Sequence, residues 1–107
     1  MSPHKFIANY TLASGREWIN HIVTIGASGC LERIDALSAE LAATRYVPGM
    51  LVLVPVAKAE AAMQVARQAQ NRDELIEALA PFSASVGDAP VAVIERDFAE
   101  GTTCRLL

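Results

Sequence analysis

The sequence is short of the residues that mark metal centres, disulfide scaffolds and nucleotide pockets. Histidine and cysteine each occur twice in 107 residues. Cys30 and Cys104 lie most of the chain apart and in no CxxC spacing. One such pair is neither a disulfide framework nor a zinc site, so both read as reduced thiols of a cytoplasmic protein. His4 and His21 have no Cys, Asp or Glu at ligand spacing, so no metal is expected. Neither GxxxxGK[ST] nor GxGxxG occurs, and Gly26-Ala27-Ser28-Gly29 only superficially resembles a phosphate-cradling loop, so no cofactor is implied. A basic stretch is absent too. Nine Lys/Arg against twelve Asp/Glu leave a net charge of −3, which excludes an electrostatically driven nucleic-acid binder. The longest apolar run, Val47 to Ala57, is far below the roughly 18 to 20 residues that span a bilayer, so no membrane insertion is expected. Met1 to Phe6 opens no long apolar segment of the signal-peptide kind.

What is abundant is apolar residues, at 52% with 20% charged, and these exclude intrinsic disorder. A chain of this length makes one domain, residues 1–107, burying about two-thirds of its unfolded surface.

The periodicity predicts the elements. Phe6, Ala8, Tyr10 and Leu12 share one side of a two-residue period, a half-buried strand. Ser14-Gly15-Arg16-Glu17 is turn chemistry, and Trp18 to Ile25 returns as the second strand of an antiparallel hairpin. Leu31, Ile34, Leu37 and Leu41 then recur at three and four, which predicts an amphipathic helix capped by Ser28 or Gly29 and stopped by Pro48-Gly49. Met50 to Val56 does not alternate, as in a strand covered on both faces, with pairing ending near Val54 because Pro55 has no N–H. Ala57 to Phe82 is helical, either as one long helix or as two with a break near Asn71, where Asn71-Arg72-Asp73-Glu74 has the form of a capping box. Ser83 to Pro90 reads as a loop, Val91 to Ile94 as a buried strand, and Phe98 to Leu107 as a short helix capped by Asp97. The expected fold is α/β: a two-layer mixed, mostly parallel sheet, with an N-terminal antiparallel hairpin, right-handed βαβ units and helices packed on it.

Three stretches carry a resemblance. They are Val23 to Gly29; Leu41 to Val54, including Tyr46-Val47-Pro48-Gly49; and Ala89 to Gly101, followed by Arg105. Together they resemble the small stand-alone bacterial STAS-like (sulfate transporter and anti-sigma-factor antagonist) proteins over about Ile19 to Leu107. In that family a strand ends in Ser-Gly, a helix ends in Tyr-x-Pro-Gly, and a Val-Ala-Val-Val strand precedes a Phe-Gly-Arg helix. The resemblance implies a non-enzymatic, regulatory domain acting through protein contacts or a small ligand. The family's phosphorylatable Ser or Thr has no counterpart, since Val54 to Glu60 contains no hydroxyl residue and Pro55 stands where an acidic residue often ends the strand. The family's further strand and helix lie beyond Leu107, which leaves an expected sheet edge open or covered by a partner.

The candidate working surface joins Ala57, Lys58, Ala59 and Glu60 to Glu95, Arg96 and Asp97, which follow a buried strand. Two rival readings stand beside it: a homodimeric accessory protein without a ligand, and a small enzyme using a carboxylate or Cys30, whose thiol would be activated at a helix N-terminus. The catalytic case lacks a nucleophile–base pairing, and no catalytic residue is assigned. The expected partner is another protein or a second copy of the chain.

Overall fold

The computed structural model describes residues 4–36, 44–98 and 103–107. Six strands make one sheet: β1 (His4–Ala13), β2 (Arg16–Ile25), β3 (Leu31–Ala36), β4 (Thr44–Pro55), β5 (Val91–Asp97) and β6 (Thr103–Leu106). Their spatial order is β3-β2-β1-β4-β5-β6. Between β4 and β5 run α1 (Ala59–Gln68) and α2 (Arg72–Leu79), each next to a single 3-10 turn. The class is α/β with a mixed sheet and helices on one face, as expected.

The sheet is not mostly parallel. Among the described residues only β1 and β4 pair in parallel; the other neighbours are antiparallel. Because β4 and β5 are antiparallel, the helices between them form no βαβ crossover. The N-terminal hairpin is as expected, and its turn is tight: Ser14 and Gly15 both have positive φ, the two-residue geometry that matches strand twist.

Two expected helices are strands. Leu31–Ala36 is β3, and the segment read as the helix end, with Tyr46-Val47-Pro48-Gly49, belongs to β4; the middle of that helix, 37–43, lies outside the described residues. The reason is a bulge. Ile25 pairs with Leu31 and Thr24 with Arg33, so Glu32 is an extra residue. A bulge turns Leu31 and Ile34 to the same face at a spacing of three, which a helix also produces. Ser28 and Gly29 cap nothing. Gly29 N–H bonds to the Gly26 carbonyl (2.9 Å) with Gly29 at φ +88°, so this stretch is the β2–β3 hairpin turn. The last expected helix, Phe98 to Leu107, gives way to β6 over Thr103–Leu106; 99–102 lie outside the described residues.

β1 turns over near Asn9. Its register with β2 is unbroken from Ala8↔His21 to Tyr10↔Ile19, but between those pairs Asn20 sits at φ +56°, a region asparagine tolerates. Phe6 and Ala8 therefore face one side of the sheet and Tyr10 and Leu12 the other, not one side as the alternation predicted. On the other flank of β1, Ala8↔Val47 is followed by Tyr10↔Met50, which accommodates Pro48 and Gly49 inside β4. A Cβ on Gly49 would lie 2.7 Å from the Arg96 carbonyl oxygen, so the backbones of β4 and β5 meet there as only glycine allows.

The sheet thus separates two apolar cores. Leu12, Met50, Val52, Val54 and Ile94 pack under Met63, Ala66, Leu75 and Leu79 of the helices. On the opposite face Phe6, Ala8, Val23, Ile25, Leu31, Val47, Leu51, Leu53 and Val93 pack on one another, strand against strand. Leu31 of β3 and Val93 of β5 meet in that cluster although their strands are not neighbours. Val91 N–H donates to the Gly29 carbonyl (2.9 Å) and Gly87 N–H to the Leu31 carbonyl (3.0 Å). The sheet curls until the β2–β3 turn touches the start of β5.

Of the two alternatives for Ala57 to Phe82, the chain takes the pair of helices, broken at Asn71. Asn71 Oδ1 accepts from Glu74 N–H (2.9 Å), while Glu74 Oε1 accepts from Gln70 N–H (3.3 Å), one residue before the cap. No helix among the described residues is long and apolar enough to cross a membrane.

Candidate functional site

The structure does not bring the expected surface together. Val56–Lys58 is a 3-10 turn and Ala59 and Glu60 open α1, with Ala57, Lys58 and Glu60 exposed and Ala59 half-buried. Glu95, Arg96 and Asp97 lie at the other end of α1, inside β5 and not in a loop after it. Ten residues of helix, about 15 Å, separate the two groups.

Arg96 is occupied there. It is buried, its Nε donates to the Ala66 carbonyl (2.9 Å), its Nη2 to the Ala69 carbonyl (3.0 Å) and its Nη1 to the Asp97 carbonyl (3.1 Å). These first two acceptors are end carbonyls of α1, which have no partner within the helix and carry its negative dipole end. The guanidinium also covers the Phe98 ring, 4.2 Å from its centroid. Arg96 therefore clamps helix to sheet. Glu95 is buried on the inner face, across from Leu51 on one side and Arg105 on the other.

The residues read as reactive are placed differently. Cys30 is half-buried in the β2–β3 turn, where its carbonyl accepts from Gly26 N–H (2.9 Å), so the helix dipole invoked for its thiol is absent. His21 lies on β2, an interior strand, and its Nδ1–H donates to the Ile19 carbonyl (2.8 Å). Trp18 packs against the inner core and donates from Nε1 to the Ala13 carbonyl (2.9 Å). Arg72 pairs with Glu17 at 2.6 Å and stacks on Tyr10 at 3.9 Å, tying the start of α2 to the hairpin. Neither cysteine is in a disulfide.

What the curl creates is a cavity. At its mouth the start of β1, the end of β2 and the starts of β4 and β5 converge around about 290 Å³, lined by Phe6, Ile25, Val91, Val93 and Leu107. His4 and Arg45 complete the lining. Among the described lining residues the wall is apolar and the two polar side chains are donors. Among the described residues, neither Arg45 nor His4 has a hydrogen-bond or ion-pair partner. Sequence reasoning missed this site because its residues come from four strands and Arg45 was placed in a helix. Gly26 to Gly29 read as a hairpin turn would have signalled β3 and hence the curl.

No protein-family model, no curated protein and no solved structure matches the chain. Function has to be read from the geometry.

Proposed function

We propose that this chain is a non-enzymatic binding module that takes a small ligand in the mouth of its curled sheet. One observation carries the reading: an open, apolar-lined cavity of about 290 Å³ on a face that no described helix covers. An engineered cavity of about 150 Å³ lined by apolar side chains takes up benzene, so this one has room for a ring and a short arm. Among the described lining residues no side chain is a hydroxyl or a thiol, which favours binding over nucleophilic catalysis.

The STAS-like reading belongs with this proposal. A mixed sheet with helices on one face and the motifs from Ile19 to Leu107 support it; the strand character of β3 and of the start of β4 removes the helix it drew on. Self-pairing through a sheet edge is less favoured. Edge strand β3 is six residues long and exposes Glu32, Arg33 and Asp35, the charges that discourage strand addition.

The test is a methyl NMR titration of the whole chain with single-ring and six- to eight-carbon amphiphiles, neutral and charged. Ile25, Val91, Val93 and Leu107 should shift together and saturably, and Val91→Trp should abolish the response. A panel in which none of these methyls moves contradicts the reading.

A further inference from the structure

The polar groups at the cavity mouth also select the ligand. Resting on the binding reading above, we infer that the ligand is a small amphipathic carboxylate, its apolar body against Phe6, Ile25, Val91 and Val93 and its carboxylate at Arg45 and His4. Three observations lead there. First, the two polar side chains among the described lining residues are donors: a guanidinium is always charged and accepts nothing, and an imidazole offers an N–H in either protonation state. Second, among the described residues both are without a partner, although Arg72 and Arg96 elsewhere in the fold are engaged by a carboxylate, carbonyls and aromatic rings.

Third, among the described residues that line it, no side chain is a carboxylate. The acidic residue of the neighbouring turn region, Glu32, is folded over Gly26, filling the space where a Cβ would stand. The mouth therefore joins a positive side chain to an apolar interior. A planar carboxylate is the group a guanidinium grips with two parallel bonds, and such charge-assisted bonds are the strong ones. The size of the cavity limits the body to about one ring or a short chain.

Paired titrations of the full chain with 3-phenylpropionate and its neutral amide, 3-phenylpropionamide, test this by calorimetry and methyl NMR. The carboxylate should bind about tenfold more tightly or better. Arg45→Gln should erase that preference, and His4→Gln should reduce it. Both residues are exposed, so neither change burdens the core, and the unperturbed methyl spectrum of the helix-side core verifies folding. Equal binding of acid and amide overturns the inference while leaving the cavity a ligand site. No binding of either, with Val91→Trp indistinguishable from the parent chain, overturns both. An acid preference that survives Arg45→Gln also overturns it, because the anion is then held elsewhere.

Discussion

The two faces of β4 are built from the same kind of residue and end in different states. Met50, Val52 and Val54 on one face lie under α1 and α2, whose ends are tied down by Arg96, Arg72 and the Asn71–Glu74 cap. Val47, Leu51 and Leu53 on the other face meet strands alone. A helix layer can slide into register until its side chains fill the grooves beneath it. A curling sheet has no such freedom, because its pairing and bulges set how far it closes. The clefts on the helix side, of about 260 and 290 Å³ around Gln68 and Ala69, carry charged and amide side chains such as Glu74, Arg67 and Gln70, while the strand-lined core leaves an apolar one at its mouth. Stability and capacity for a ligand are thus divided between the two faces.

The largest expected effects lie on the helix side. Leu75→Ala removes a fully buried side chain from that core and should cost about 3 to 5 kcal/mol in denaturant unfolding. Val91→Ala, on the half-buried cavity wall, should cost under about 1 kcal/mol. Equal losses at the two positions would break the comparison.

Arg96→Ala comes next. It strands the buried Ala66 and Ala69 carbonyls and should cost about 2 to 4 kcal/mol, with hydrogen exchange accelerated first in the last turn of α1. A ligand contact role for Arg96 instead would show as lost binding with little lost stability.

The smallest effect is a pH dependence. Cys104 packs against the helix-side core, and burial raises its thiol pKa, with Arg96 and Arg67 opposing that in part. The folded state then holds the proton more tightly than the unfolded chain. The stability this carries is whole below the unfolded thiol pKa, about 8.5, and is lost as pH rises through the higher folded value. Urea midpoints at pH 7 and pH 10 should fall less for Cys104→Ala than for the parent chain.

Much of this was written locally in the sequence. The Ser14-Gly15 hairpin, the two-faced apolar run of β4, the Asn71 cap and the loop from Ser83 to Pro90 each depend on neighbours in the chain. The errors share one physical cause. A bulge at Glu32 reproduces helical spacing in a strand, the irregularity at Asn9 and Asn20 moves Tyr10 and Leu12 to the opposite face, and Pro48-Gly49 sits inside a strand at a register shift. Gly and Pro mark where the backbone departs from ideal, without saying whether an element ends or bends there. The site was illegible for the same reason: His4, Arg45 and Val91 converge only after those bends curl the sheet.

Xenon tests the hollow face most directly, since it fills apolar space without any polar contact. In methyl spectra recorded under xenon pressure, Ile25, Val91, Val93 and Leu107 should shift, while Val52, Val54, Leu75 and Leu79 stay in place. Shifts of equal size in both cores, or none at the cavity mouth, would contradict an apolar opening that belongs to the strand-lined face.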